Sequence, residues 1–119
     1  MQREQRAMHS EPIDACHGGV GRLLCRVVME EGESDVGIRF MHDDVLEPGA
    51  SIGEHLHADD EEIYFVVEGS GTMILDGAQR PIGPGDVSLV KRGHTHGIVN
   101  SQDGPMRLIV VCVEPSGTG

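Results

Sequence analysis

Residues 49–69 read GASIGEHLHADDEEIYFVVEG, and this stretch carries the strongest structural signal in the chain. His55 and His57 are two positions apart, and alternate residues of a β-strand point to the same face. The two imidazoles can therefore approach one point without a helix. Glu62 follows in the same stretch, and His96 lies 34 residues beyond Glu62. Three imidazoles and one carboxylate form a mixed nitrogen and oxygen set that suits a divalent first-row metal.

Short apolar runs separated by turn signals follow one another along the rest of the chain. We predict a loose arm over residues 1–12 and a tail over residues 114–119. Residues 17–19 are either a turn near the mouth of a barrel or a plain loop. The predicted strands cover residues 20–29, 36–45, 51–56, 63–67, 72–75, 87–90, 96–99 and 106–113. Strands with this regular spacing favour a β-sandwich or a β-barrel.

The length of 119 residues predicts one domain. Within it we separate an N-terminal arm with the first strands, residues 1–35, from the core of the barrel, residues 36–114. A chain of this size buries roughly two-thirds of its unfolded surface, so its core is modest. Pairing with a second copy would extend that core, which predicts a homodimer.

The formal net charge of −11 excludes the function classes that depend on a basic surface. Such a chain repels phosphate backbones and anionic membranes, so neither nucleic acid nor a membrane is an expected partner. No apolar run approaches the length of a membrane span, and residues 1–10 lack the apolar region of a secretory signal. Three cysteines without a CxxC pair indicate free thiols in a reducing compartment. The expected location is the cytoplasm.

The spacing of these residues resembles the two motifs of the cupin superfamily. The first motif is G-x5-H-x-H-x3,4-E-x6-G, and Gly49, His55, His57, Glu62 and Gly69 match every defined position. This resemblance implies the fold of the superfamily, an all-β double-stranded β-helix or jelly-roll barrel. The strand pattern predicts a sandwich or barrel independently of it.

The second motif is G-x5-P-x-G-x2-H-x3-N, and the chain departs from it at one position. Gly85, Gly93, His96 and Asn100 match, whereas Lys91 replaces the proline. This departure affects the turn before His96 and not the histidine itself. The motifs are 15 residues apart, which resembles the compact, single-domain microbial members of the cupin type-2 kind.

The resemblance implies that His55, His57, Glu62 and His96 hold a metal inside the barrel. Four protein ligands leave two octahedral positions open to water, substrate or dioxygen. Mn²⁺ or Fe²⁺ suits these ligands best, and Zn²⁺ or Ni²⁺ also binds such sites. Glu61 competes for the carboxylate role, but only Glu62 leaves six residues before the motif's final glycine.

Two further residues are candidates for acid and base chemistry. Tyr64 shares the strand face of Glu62 and is either a ligand-binding hydroxyl or a core tyrosine. His94 shares strand parity with His96 and is either a proton carrier or an exposed turn residue. Among the nearby cations, Arg39, Lys91 or Arg92 could pair with a carboxylate substrate.

The resulting hypothesis is a metal-dependent cupin whose open site binds a small polar or carboxylate-bearing molecule. As an enzyme it would be a dioxygenase or decarboxylase. The alternative is a non-catalytic domain that binds or senses a small metabolite, because cupins host both kinds of function.

Overall fold

The structure is a computed structural model that describes residues 1–115 of the chain. Ten β-strands and two short 3-10 turns account for its regular structure within those residues. The 3-10 turns cover Gln5–Ala7 and Cys16–Gly18. The strands are β1 (Ser10–Asp14), β2 (Arg22–Met29), β3 (Ile38–Leu46), β4 (Ser51–His57), β5 (Glu61–Glu68), β6 (Gly71–Leu75), β7 (Ala78–Ile82), β8 (Val87–Val90), β9 (His94–Val99) and β10 (Met106–Val113). Residues 116–119 of the predicted tail lie outside the described part of the chain.

The strands form two antiparallel sheets. One sheet has six strands in the order β1-β2-β3-β10-β5-β8, and the other has four in the order β4-β9-β6-β7. Chain neighbours such as β3 and β4, or β5 and β6, lie in different sheets. The chain therefore passes repeatedly from one sheet to the other, which is the connectivity of a jelly roll.

The core lies between the sheets because each strand alternates its side chains between two faces. Along β10, the buried residues Met106, Leu108, Val110 and Cys112 alternate with less buried ones. Along β5, the buried residues are Glu62, Tyr64 and Val66. The inner face of β5 thus changes from a carboxylate at one end to aliphatic packing at the other. This change places polar chemistry at one end of the barrel.

Two strands, β1 and β7, were not predicted. Residues 10–14 pair with β2, where a loose arm was expected over residues 1–12, so that expectation is wrong from residue 10 onward. Residues 78–82 pair with β6, where a turn was expected from residue 81. Each of these strands contains a proline and lies at the edge of its sheet. Proline lacks the N–H that an inner strand needs, but an edge strand tolerates it.

One side chain joins the two turns at the far end of the barrel. Asn100 is fully buried, and its Nδ2 donates to the carbonyl oxygens of Leu46, Glu47 and Gly104. Its Oδ1 accepts a hydrogen bond from the backbone N–H of Gln102. The last residue of the second motif is therefore a structural amide. In the described residues no helix is long and apolar enough to cross a bilayer.

Candidate metal centre

Three strands from the two sheets bring the four motif side chains together. His55 and His57 lie on β4, Glu62 lies on β5 and His96 lies on β9. β4 and β9 are antiparallel neighbours in which His55 and His96 are direct partners. One ligand atom from each of the four residues lies within 4.8 Å of the others. The geometry therefore brings together four residues that the sequence separates by up to 41 positions.

The distances inside the cluster show how closely these atoms converge. His57 Nε2 lies 3.0 Å from His96 Nε2, and His96 Nε2 lies 3.1 Å from Glu62 Oε1. His57 Nε2 lies 3.5 Å from the same carboxylate oxygen. Glu62 is buried on the inner face of β5, whereas Glu61 is exposed. Such convergence of nitrogen and oxygen donors fits a divalent first-row ion.

Hydrogen bonds fix the tautomer of two of the three imidazoles. His55 Nδ1 lies 2.7 Å from the carbonyl oxygen of Gly53, and a carbonyl oxygen can only accept. His57 Nδ1 lies 2.5 Å from Asp60 Oδ1, to which it donates. Each ring therefore directs an unprotonated Nε2 at the common point. His96 Nδ1 is buried and has no hydrogen-bond partner within residues 1–115.

Asp60 supports His57 and connects it to two other side chains. Its Oδ2 accepts hydrogen bonds from Arg39 Nη1 at 2.7 Å and from the Cys112 thiol at 3.2 Å. Burial raises the pKa of Asp60, but the hydrogen bonds from His57, Cys112 and Arg39 outweigh burial and leave the pKa lowered. The carboxylate therefore stays ionised and holds the imidazole. The sequence contains no signal for this role, because Asp60 is one of four consecutive acidic residues.

His17 covers the outer side of His55. The two rings stack with their centroids 3.7 Å apart and their planes 10° from parallel. The turn that carries His17 packs directly on β4, where a Cβ on Gly53 would collide with the His17 carbonyl oxygen. Burial lowers the pKa of His55 to about 4, so this imidazole is neutral and can bind a metal at physiological pH. Sequence analysis did not place His17 in the site.

Tyr64 and His94, the two predicted acid and base residues, lie in different surroundings. Tyr64 is buried and stacks on His96 with ring centroids 4.4 Å apart. Its pKa is raised by burial and by the nearby carboxylate of Glu62. His94 is exposed, and its Nδ1 lies 2.7 Å from Asp76 Oδ2 at the β6–β7 turn. The structure brings Tyr64 to the cluster and leaves His94 outside it.

A cavity of about 330 Å³ opens beside the cluster. Its wall includes His17, Arg39 and Phe40 together with the ligands on β4 and β5. Arg39 is the predicted cation that reaches this cavity. Lys91 and Arg92 are exposed and do not line it. The cavity thus combines a metal-ligand cluster, one guanidinium and an aromatic wall.

The structure is a small β-barrel of two antiparallel sheets with a candidate metal site inside it. The Cupin domain family matches residues 43–112, which is more than half of the chain. The chain therefore belongs to the cupin family, and the prediction made from its two motifs is confirmed. Cupins commonly bind a divalent metal, and this chain has the three-histidine, one-glutamate cluster described above.

Two relatives are similar in sequence. The oxalate-binding protein of Thermotoga maritima is 28% identical over 103 residues, which are 87% of this chain and 85% of that protein. Protein SchB of Streptomyces halstedii is 33% identical over 70 residues. That match covers 59% of this chain and 51% of SchB.

Solved structures agree in fold. The crystal structure of a predicted oxalate decarboxylase from Thermotoga maritima superimposes with a TM-score of 0.88 and 26% identity, covering 96% of this chain and 99% of that one. The polyketide cyclase RemF from Streptomyces resistomycificus gives a TM-score of 0.75 and 25% identity. The match covers 95% of this chain and 79% of RemF. The prediction of a double-stranded β-helix is confirmed.

Proposed function

We propose that this cupin holds a divalent metal on His55, His57, Glu62 and His96, and that its cavity binds a small carboxylate of the oxalate class. The convergence of the four ligand atoms within 4.8 Å of one another is the observation that carries this proposal. Mn²⁺ or Fe²⁺ is the metal that we expect first, with Zn²⁺ or Ni²⁺ as further candidates.

The charge of the cluster favours an anionic ligand. Three neutral imidazoles and one carboxylate carry one negative charge, so a divalent ion leaves the centre with one positive charge. Arg39 lines the same cavity, but Asp60 and Glu31 already balance its charge, so the bound ion would supply the attraction. An anion therefore gains favourable electrostatic energy on entering this partly buried space. The similarity to an oxalate-binding protein supports the same class of ligand.

The chain's own side chains would orient the ligand. Hydrogen bonds to Gly53 and Asp60 hold two imidazoles in position before anything binds. Arg39 uses Nε toward Glu31 and Nη1 toward Asp60, so it faces the cavity in a fixed position. Phe40 forms part of the wall. When bound, a divalent ion supplies Lewis-acid chelation of carboxylate oxygens.

Titration calorimetry on metal-loaded protein tests this proposal. We expect the protein to bind oxalate when Mn²⁺ is present and to stop binding it after a chelator has removed the metal. We expect His55→Ala and Glu62→Gln to abolish the metal-dependent heat. The matched control is His9→Ala, because His9 is exposed and outside the cluster. Equal oxalate binding with and without metal would contradict the proposal.

Decarboxylation or dioxygenation is the second candidate function, because His17 and Tyr64 border the cluster and can carry protons. Release of formate and CO₂ from oxalate, or uptake of O₂, measures it directly. A fall in turnover in His17→Asn, Tyr64→Phe or His94→Ala would assign a role in proton transfer to the residue that was changed. Binding of oxalate without any turnover would favour the alternative, a domain that binds or senses a metabolite.

We also propose that the chain forms a homodimer through the outer face of its six-stranded sheet. Exposed apolar residues on three adjacent strands meet there: Phe65, Val67, Val87, Leu89 and Val113. Contiguous apolar surface of this kind marks a protein interface. Light scattering after size-exclusion chromatography should give a dimer for the wild type and a monomer for Phe65→Glu. Val36→Glu, in an exposed loop, should remain dimeric.

The state of the cysteines supports the expected location. Cys16, Cys25 and Cys112 are free thiols in the structure. Free thiols persist in a reducing compartment, which supports a cytoplasmic protein.

A further inference from the structure

A second group of metal-ligating side chains lies on β2 and β3, and the cavity beside it also reaches His17 and Glu62. Cys25 on β2 is the direct antiparallel partner of Asp44 on β3. His42 lies two residues before Asp44, so both side chains point to the same face. One ligand atom from each of these three residues lies within 4.8 Å of the others. The cluster shares no residue with the centre described above.

A buried carboxylate oxygen in this cluster lacks a partner. Asp44 is only 5% exposed, and its Oδ1 has no hydrogen-bond partner within the described residues. A cavity of about 150 Å³, lined by all three residues and by Cys16, lies beside it. A buried carboxylate oxygen without a hydrogen bond costs folding free energy. A ligand that contacts this oxygen would recover that free energy.

Burial also shifts the protonation states of the three side chains in this cluster. Burial raises the pKa of Asp44 to about 7, against the hydrogen bond from the Cys25 thiol. Burial also raises the pKa of Cys25, and lowers that of His42. The cluster without a metal therefore contains a thiol, a partly protonated carboxyl and a neutral imidazole. Thiolate, carboxylate and imidazole together would neutralise a divalent cation completely, which suits a buried position.

We propose that Cys25, His42 and Asp44 form a second metal site, selective for a thiophilic divalent ion such as Zn²⁺. Tetrahedral zinc bonds of about 2.0 to 2.3 Å place neighbouring ligand atoms roughly 3.5 Å apart, which small side-chain adjustments reach from the observed spacing. Three protein ligands leave a fourth position facing the cavity for water. Binding releases the proton of the thiol and that of the carboxyl group where it is protonated, whereas the neutral imidazole releases none.

Two of the three proposed ligands lie outside the part of the chain that matches the cupin family. Cys25 and His42 lie before residues 43–112, which the cupin family matches. The ion would add a cross-link between β2 and β3, which are already paired in the six-stranded sheet. It differs from the first centre in having a thiolate ligand, which gives it a separate spectroscopic signature.

Cobalt titration of the full-length, metal-free protein in tris(2-carboxyethyl)phosphine tests the proposal. Co²⁺ in a tetrahedral site with a thiolate gives a sulfur-to-metal charge-transfer band and intense visible bands, whereas an octahedral nitrogen and oxygen site absorbs weakly. We expect two Co²⁺ per chain and thiolate bands that develop with one of them. Added Zn²⁺ should remove these bands.

Variants assign the bands. We expect Cys25→Ser and Asp44→Asn, both close in shape to the native residues, to lose one Co²⁺ and the thiolate bands. The control Asp35→Asn, at an exposed carboxylate outside these clusters, should keep both ions and the bands. Bands that are lost in Cys112→Ser and kept in Cys25→Ser would assign the thiolate to Cys112, which lies beside His57 and Asp60, and would overturn the second site. Circular dichroism checks that each variant is folded. Absence of thiolate bands in the wild type, or bands that survive in folded Cys25→Ser, would overturn the second site.

The same titration separates this inference from the proposed function. His55→Ala should lose the weakly absorbing Co²⁺ and retain the thiolate bands. Thiolate bands without the weakly absorbing Co²⁺ would refute the proposed function alone. A weakly absorbing Co²⁺ without thiolate bands would refute the second site alone.

Discussion

Replacement of Asp60 by asparagine should weaken metal binding at the first centre without unfolding the protein. The carboxylate accepts from His57 Nδ1 at 2.5 Å and from Arg39 Nη1 at 2.7 Å. An amide of the same shape can accept only through one oxygen and presents an N–H₂ group on the other side. In either orientation of this amide, its N–H₂ group faces one of the two donors, His57 Nδ1 or Arg39 Nη1, and cannot accept from it.

The expected magnitude follows from the role of Asp60 in holding the His57 ring. Loss of a carboxylate that supports a metal-binding histidine costs roughly 10- to 100-fold in metal affinity. This corresponds to about 1.4 to 2.7 kcal/mol. The Asp60 carboxylate is buried, so solvent screening does little to reduce the effect. The Arg39 guanidinium also loses its anionic partner, which favours the upper part of this range.

Competition with a chromophoric chelator, titrated with Mn²⁺ or Zn²⁺, measures the affinity of the metal-free protein for each ion. Asp59→Asn is the matched control, because Asp59 is the exposed neighbour of Asp60 in the same acidic run. We expect the control to bind within about twofold of the wild type. If Asp60→Asn binds metal as tightly as Asp59→Asn, the argument that Asp60 orients His57 is refuted.

Three further changes test the stability of the fold. Asn100→Ala should lower the free energy of unfolding by about 3 kcal/mol, measured in urea, because three backbone carbonyl oxygens lose their buried donor. Gly53→Ala should cost about 1 to 3 kcal/mol and displace His17 from His55, measured by unfolding and by histidine ring NMR shifts, because the new methyl group collides with the His17 carbonyl oxygen. Glu33→Gln should lower the unfolding midpoint at pH 7, and this difference should shrink as the pH falls from about 4.5 toward 2. The hydrogen bond from Arg3 lowers the pKa of Glu33 to about 2, so its contribution is present above the unfolded-state pKa and disappears on protonation.

Each of these changes has a control or an outcome that would contradict it. Gly104→Ala is the control for Gly53→Ala, since a Cβ at Gly104 meets nothing within 4 Å. Unchanged stability in Asn100→Ala would show that water replaces the amide. A constant difference between Glu33→Gln and the wild type from pH 7 to pH 3 would show that the ion pair with Arg3 contributes nothing.

The sequence predicted the inner strands well because their alternation is strong and continuous. In β5, a run of β-branched and aromatic residues lies between turn signals, and the predicted strand over residues 63–67 extends in the structure to Glu61–Glu68. The strands it missed, β1 and β7, are edge strands that contain proline. Proline weakens the strand signal although the edge of a sheet tolerates it, so local pattern alone cannot detect such a strand.

The candidate site also contains residues that the sequence predicts and residues that it does not. His55, His57, Glu62 and His96 are predictable because a β-strand fixes which residues share a face and the two motifs fix their spacing. His17 and Asp60 are not predictable in this way. His17 reaches His55 through a turn packed on another strand, and Asp60 is distinguished from three acidic neighbours only by its contacts.

The sequence by itself determined the all-β class through period-two alternation. Its resemblance to the two cupin motifs implied the family and the four converging residues. Only the tertiary structure decided which polar groups meet across strands. It placed Asp60 between His57 and Arg39, and Cys25 opposite Asp44. Such contacts depend on the register between strands that are distant in the chain, and no local pattern records that register.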